Sequence, residues 1–260
     1  MLKVEGVTLG YGGTPVVRGV SIRAKAGELT AIVGPNGAGK STLMKGIVGV
    51  LHATEGHIWL NGKEITNNQP EDLIRSGIAY VPQVANVFPS LSVYENLELG
   101  GYIKRGEMRG RISEVCDMFP DLIPALKRPA RTLSGGQRMM LALARGLVIK
   151  PVLLMLDEPT AGLAPLVVDK VWNHVLEIKN SGVAVLVVEQ NTRRSLRDAD
   201  WGYVLTTGQN NLEGPGPDLL ANEDLVRLYI GGGASGEAPE SDVNERSAAA
   251  GPVSFTNQKG

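Results

Sequence analysis

The sequence has one cysteine, Cys116, in 260 residues. A single thiol excludes a framework of internal disulfides and fits a reducing compartment. Histidine is almost as sparse: His52, His57 and His174 are scattered without the spacing of a metal cluster. Charge of either sign is not in excess, with 26 Lys+Arg against 27 Asp+Glu and a formal net charge of −1. That balance excludes a general polyanion binder, which needs surplus cations to neutralise phosphates, so no nucleic-acid partner is expected. Long apolar runs are missing too. The longest, such as Val152–Leu156 and Val183–Val188, fall far short of the ~18 consecutive apolar residues of a membrane-spanning helix. Met1-Leu2-Lys3-Val4-Glu5 carries no apolar stretch of a signal peptide. Work at a membrane is therefore expected to be peripheral, from the cytoplasmic face, through a partner.

What is abundant is glycine, 33 residues, roughly twice the ~7% of an average protein. Glycine at that level points to many tight turns or to a backbone that comes close to a ligand. The length suits one large α/β domain or two small ones, with ample material for a core.

The first part of the chain reads as strands. Val7 and Leu9 alternate with polar residues, as do Val20, Ile22 and Ala24. Asn61-Gly62 after Ile58-Trp59-Leu60 marks a hairpin turn. Glu28–Val33 is a strand that runs into a glycine loop, and Leu43, Ile47, Val48 and Leu51 follow on one helical face. From about Ser92 to Lys150 the pattern is helical, punctuated by Pro89, Pro120, Pro124 and Pro129. This segment reads as a helical subdomain, about 92–150, inserted into a sheet domain. Within it Ser134 is placed to cap a helix carrying Met139, Leu141, Leu143 and Leu147. The unbroken apolar runs Val152–Leu156 and Ala184–Val188 suit parallel strands covered on both faces. Val167, Val171, Val175 and Ile178 between them mark an amphipathic helix, which gives the βαβ rhythm. Gly231–Gly260 contains no Leu, Ile or Met. It has too little apolar surface to offset chain entropy and is expected to be a disordered tail, with the folded domain spanning 1–230.

Gly34-Pro35-Asn36-Gly37-Ala38-Gly39-Lys40-Ser41 matches G-x-x-x-x-G-K-[ST] between a strand and a helix. Glycines let backbone N–H groups curl around phosphate oxygens, and the helix that follows adds the positive end of its dipole. Gly34, Asn36, Gly37, Ala38, Gly39, Lys40, Ser41 and Thr42 are thus the expected nucleotide-binding residues. Lys40 reaches the β- and γ-phosphates and the Ser41 hydroxyl ligates Mg²⁺. Asp157-Glu158 closes the run Val152–Leu156, and the carboxyl end of a buried parallel strand is where α/β sheets bind ligands. Asp157 is expected in the Mg²⁺ shell, and Glu158 as the general base that activates water. Cys116 and Met139-Met140 read as packing residues, and Lys104, Arg105, Arg109 and Arg111 as a solvated basic face.

Leu133-Ser134-Gly135-Gly136-Gln137 reproduces the signature of the ATP-binding-cassette (ABC) ATPases, which the chain resembles from about Leu2 to Ile230. The resemblance implies an α/β phosphate-loop fold: a mixed sheet core, an antiparallel β subdomain and an inserted helical subdomain. It implies ATP and Mg²⁺ as ligands, and two cassettes that sandwich two ATPs. Tyr11 matches the aromatic that stacks on adenine. Gln83, after Ile78-Ala79-Tyr80-Val81-Pro82, matches the glutamine that touches Mg²⁺ and moves with the membrane partner. Gln190 stands at the γ-phosphate position, and Ala161-Gly162-Leu163-Ala164 follows Asp157-Glu158-Pro159-Thr160 as the D-loop. Ser134, Gly135, Gly136 and Gln137 would meet the nucleotide held by the partner cassette. Independently, a serine and two glycines at a helix N-terminus present free N–H groups and a hydroxyl to an anion.

Glu158-Pro159-Thr160-Ala161-Gly162-Leu163-Ala164-Pro165 and Glu189-Gln190-Asn191 narrow the resemblance to the smaller ATPase of branched-chain amino-acid importers. That implies two membrane permeases, a second and different ATPase, and a solute-binding protein outside. Most cassettes have histidine where Gln190 stands, but the amino-acid subgroup commonly has Glu-Gln-Asn there. Many of its members have Glu at the position of Gln83, so urea and short-chain amide importers stay open. A soluble ABC switch ATPase is the alternative of another class. It typically carries two cassettes or a long coiled coil, and this chain shows no sustained heptads. A plain phosphate-loop kinase leaves Leu133–Gln137 unexplained.

Overall fold

The computed structural model describes residues 1–222 except Ala85, Lys104, Arg105 and Glu107. The expectations for Lys104, Arg105 and the tail at 231–260 lie outside the described residues.

Four strands form an antiparallel sheet in the order β2-β1-β4-β5: β1 (Leu2–Tyr11), β2 (Thr14–Ala24), β4 (Ala53–Leu60) and β5 (Lys63–Glu64). Leu2, Val4, Val7 and Leu9 are buried along β1, but their alternation slips between Val4 and Val7. A register shift there keeps both pairs on the core side, as a bulge does. Asn61 and Gly62 both adopt positive φ, 51° and 78°, the two-residue hairpin expected from their sequence.

Six strands form the second sheet in the order β10-β9-β3-β8-β7-β6. They are β3 (Leu29–Val33), β6 (Ile78–Val81), β7 (Leu153–Asp157), β8 (Ala184–Val188), β9 (Trp201–Thr206) and β10 (Gln209–Gly214). All neighbours are parallel except β9 and β10, which makes the sheet mixed. Residues alternate between its two faces with the period of a strand. Leu154, Leu156, Val185 and Val187 face a core shared with the helical segment. Leu153, Met155, Leu186 and Val188 face a second core shared with α1 (Lys40–Ile47) and the antiparallel sheet. Each such fully buried aliphatic side chain contributes about 1.5–3 kcal/mol. The two sheets are also tied at their edges. The Asn210 amide accepts from Ser21 N at 2.9 Å and donates to Ser21 O at 2.9 Å.

Helix α1 is shorter than the apolar pattern suggested. Gly49, at φ 74°, turns the chain out of the helix, so Leu51 lies beyond it, a left-handed glycine ending helices in this way.

Between β6 and β7 the described residues hold only helical elements: α3 (Val93–Gly100), α4 (Met108–Met118), two short 3₁₀ turns and α5 (Gly135–Leu147). Ser92 and Glu95 form a reciprocal capping box at α3, and Ser134 and Gln137 do so at α5. The fully buried Asn96 accepts from Phe88 N at 2.8 Å and donates to Phe88 O at 3.0 Å. That amide fixes the loop entering α3. Cys116, Met139 and Met140 are buried packing residues, as their sequence context suggested. Helix α2 (Pro70–Arg75) precedes β6, α6 (Pro165–Asn180) joins β7 to β8, and α7 (Thr192–Asp198) and α8 (Gly216–Leu220) flank the last strands.

Candidate functional site

Strands β3, β8 and β7 lie side by side, with Asp157 opposite Val188 and Val188 opposite Ile32. Three loops therefore leave the sheet at one edge: Gly34–Gly39 after β3, Glu158–Ala164 after β7, and Glu189–Asn191 after β8. This is the carboxyl edge at which open α/β sheets hold ligands.

The loop after β3 is shaped by glycine. An added Cβ at Gly34 would overlap the carbonyl oxygen of Leu205 on β9. Gly39, the residue before α1, sits at φ 94° and gives the helix no side-chain cap. The first N–H groups of α1 are thus left to an external acceptor, the positive end of the helix dipole. Residues Asn36–Thr42, Val16 and Glu158 line a cavity of about 180 Å³ there. Lys40 is buried, and its ammonium donates to Gly34 O at 2.8 Å and Pro35 O at 3.0 Å. Burial holds this lysine below its usual range, against the opposing pull of Glu158 and Asp157. Ala38 and Thr42 are also buried.

Ser41 Oγ donates to Asp157 Oδ1 at 3.0 Å, and Tyr80 OH donates to Asp157 Oδ2 at 3.2 Å. A hydroxyl and a carboxylate thus converge beside the phosphate loop. Among the described residues no group of three or more His, Cys, Asp and Glu holds a metal by itself. Oxygen donors in so small a number fit Mg²⁺, which takes one or two carboxylates and completes its shell with water and phosphate. Burial and the adjacent Asp157 carboxylate push the Tyr80 phenol well above its ordinary range, so it stays a donor.

Glu158 is half-buried and adopts φ 49°, a left-handed backbone that costs a non-glycine residue on the order of 1–3 kcal/mol. Its N–H donates to Val188 O at 2.8 Å. Its carboxylate accepts from Gln83 Nε2 at 2.7 Å. Gln83, expected beside Mg²⁺, therefore points at Glu158 rather than at Asp157. Gln190 donates from Nε2 to Asn36 Oδ1 at 3.3 Å, which brings it to the rim of the phosphate loop. Tyr11, at the end of β1, is 48% exposed. The Lys45 ammonium lies 6.0 Å from its ring centroid and donates to its hydroxyl at 3.5 Å.

Ser134 is exposed, as the signature reading requires, but its N–H groups are not all free. Gln137 N donates to Ser134 Oγ at 3.2 Å, and Ser134 N donates to Gln137 Oε1 at 3.0 Å. The expected row of free donors is reduced by this capping box to those of Gly135 and Gly136. Gly136 is buried for a separate reason: an added Cβ would overlap the Val167 side chain on α6. The signature helix thus lies against the start of α6.

Three contributors went unassigned in the sequence. Tyr80 was named only within the run that precedes Gln83. Thr160 and Glu189 bind each other, with Glu189 Oε1 accepting from Thr160 N at 3.1 Å and from Thr160 Oγ1 at 2.8 Å. Glu189 follows an unbroken apolar strand as Asp157 closes one, and that shared pattern was the available clue.

An uncapped helix after a glycine loop, a lysine folded into it, and paired acids at the end of β7, two strands across the sheet, define a phosphate-loop nucleotide hydrolase. The chain belongs to the ABC transporter family, whose family model matches residues 17–161, and it is an ATP-hydrolysing transport ATPase. It is 41% identical to the probable branched-chain amino acid transport ATP-binding protein LivF of Archaeoglobus fulgidus, over 89% of this chain and 99% of that one. It is 31% identical to the lipopolysaccharide export system ATP-binding protein LptB of Escherichia coli K12, over 88% of this chain and 97% of that one. A crystal structure of an ATP-binding cassette of an ABC transporter in its ADP conformation superposes with a TM-score of 0.80 at 33% identity, covering 89% of this chain and 98% of that one.

Proposed function

We propose that this ATPase drives an importer of branched-chain amino acids or a related small polar solute. Lys40, Ser41 and Glu158 on one cavity, with Asp157 bonded to Ser41 and Gln83 bonded to Glu158, carry the hydrolytic part of this reading. The ATP phosphates lie on the N-terminus of α1 and against Lys40, which gives up its bonds to Gly34 O and Pro35 O for them. Ser41 and Asp157 would hold Mg²⁺, and Gln83 would join them on leaving Glu158. Held there, Mg²⁺ would supply positive charge against the developing charge of the phosphates. Glu158 takes the proton of the attacking water, a role worth ~10²–10⁴ in rate. Gln190 bonds the γ-phosphate, and Tyr11 stacks on adenine. Ser134, Gly135, Gly136 and Gln137 serve the nucleotide of a second, different cassette. The cassette spans 1–230, with its helical subdomain at about 92–150.

ABC ATPase subunits work with membrane permeases, and among the described residues no helix is long and apolar enough to cross a membrane. Two permeases therefore dock on this chain at the cytoplasmic face of the membrane, with a solute-binding protein outside. The surface that suits them is a groove of about 230 Å³ between β6 and helices α3 and α5, lined in part by Ile74, Phe88, Leu99 and Arg145. Phe88 and Leu99 expose 48% and 43% of their surface, and Arg145 lies 5.2 Å above the Phe88 ring. A groove with apolar walls and one stacked cation suits a short amphipathic helix.

The solute rests on the higher identity to LivF than to LptB and on Glu189-Gln190-Asn191. The departure at Gln83 keeps urea or a short-chain amide as the second reading. The decisive experiment is uptake of labelled leucine, urea and acetamide by cells that lack the gene, complemented with wild type or with Glu158→Gln. Leucine uptake restored by wild type alone supports the reading. Restored urea or acetamide uptake selects the second reading. If no solute enters but one is extruded, import is wrong.

A further inference from the structure

One buried carboxylate has no part in the reaction as described above. Glu189 is 2% exposed, directly after β8. Taking a carboxylate out of water is unfavourable unless strong donors meet it. Here they come from two loops. Oε1 accepts from both Thr160 N and Thr160 Oγ1, at 3.1 and 2.8 Å, and Oε2 accepts from Gln190 N at 3.1 Å. Burial pushes this carboxyl up, and the bonds from Thr160, Gln190 and Asn191 pull it back.

The position of those donors matters. Thr160 stands in the same loop as Glu158, whose own N–H is held by Val188 O at 2.8 Å. The backbone is therefore pinned on both sides of Glu158 from the end of β8, around the residue whose φ of 49° needs support. Gln190 follows Glu189 directly and reaches Asn36 in the phosphate loop.

We propose that Glu189 is a positioning residue, whose carboxylate joins the loop of Glu158 to the loop of Gln190 and sets the base at its working distance from the γ-phosphate. The inference rests on the reading of Glu158 as base and Gln190 as γ-phosphate contact. Glu189 touches no substrate, so it should act on the rate of the chemical step and not on ATP binding.

Glu189→Gln is the sharpest test because it keeps shape and volume. An amide has one acceptor oxygen, so it cannot accept from Thr160 and Gln190 through two different atoms. Measured on the full chain paired with its partner cassette, the single-turnover hydrolysis rate constant should fall at least tenfold while ATP affinity stays within threefold. That rate constant does not depend on the fraction of active protein, so mere loss of folded material would not mimic the result. Thr160→Ala should fall at least threefold, and adding it to Glu189→Gln should cost little more, because both act through one link. A rate constant for folded Glu189→Gln within twofold of wild type overturns the proposal, as does fully multiplicative behaviour of the pair. If Glu189→Gln does not fold, Thr160→Ala decides: a threefold or larger fall supports the link, and a smaller one overturns it. Glu158→Gln measured alongside separates the readings. Wild-type turnover there removes the base assignment and this inference with it. An inactive Glu158→Gln beside an unimpaired Glu189→Gln removes the positioning role alone.

Discussion

Helices α1 and α5 both begin in glycine-rich turns, yet their N-termini are finished in opposite ways. At α1 the preceding residue is Gly39, in a left-handed conformation and without a side chain to cap the first turn. At α5 Ser134 and Gln137 satisfy each other's N–H groups. The first terminus sits in a cavity and holds a buried lysine; the second is exposed. An uncapped, enclosed helix start is left with donors that want an anion. A self-capped, exposed one is stable without a ligand and can meet one brought by another molecule. The same element thus serves a resident site in one place and a docking surface in the other.

Four substitutions test that contrast, from the largest expected effect to the smallest. Lys40→Ala removes the buried cation of the α1 site. ATP affinity, read by titration calorimetry, should fall by more than about a hundredfold, since a charge-assisted phosphate contact is lost. Unchanged binding would refute the site. Glu158→Gln keeps the cavity and removes the proton acceptor. ATP should bind within about threefold of wild type while turnover drops ~10²–10⁴-fold; turnover at the wild-type rate would mean that another group is the base.

Ser134→Arg places a bulky cation at the α5 terminus only. ATP affinity of the isolated chain should stay within about twofold of wild type, while turnover by paired cassettes falls at least about tenfold, more than 1.4 kcal/mol. Loss of ATP binding by the isolated chain would show that α5 acts on its own site or holds the fold, and the contrast would collapse. Ser134→Ala should cost about 0.5–2 kcal/mol of stability through the lost cap. A thermal melt should show a drop of roughly 2–4 °C per kcal/mol for a domain of this size. No drop would mean that the capping box adds nothing, and that α5 is as dependent on a ligand as α1.

The α1 site was legible because its chemistry is local. Gly34 to Ser41 is one turn of chain, and its glycines are dictated by the shape that one turn must take. The unbroken strands β7 and β8 were legible for the same reason, since a strand covered on both faces writes its burial into every residue. Contacts between distant segments were not. Tyr80 meets Asp157 only because β6 lies beside β7, and nothing in either stretch states the strand order. Thr160 and Glu189 meet for a similar reason, across the ends of β7 and β8. Gly136 was read for its N–H group. Its missing side chain is also what lets α5 approach Val167. Helix α1 was drawn too long because Leu51 continues the apolar period. The period reports burial, and the turn at Gly49 returns Leu51 to the core by another route.

The Asn210–Ser21 pair has a consequence for solubility. Strand β2 ends one sheet and β10 ends the other, and an open strand edge is a template for pairing with a second chain. The Asn210 amide imitates one residue of a neighbouring strand, giving Ser21 both an acceptor and a donor. Two edges that would each invite a stranger are turned on one another, and Asn210 is joined there by Gly208 O, which accepts from Arg18 N at 2.7 Å, and by Tyr203 OH, which accepts from Arg23 N at 3.0 Å.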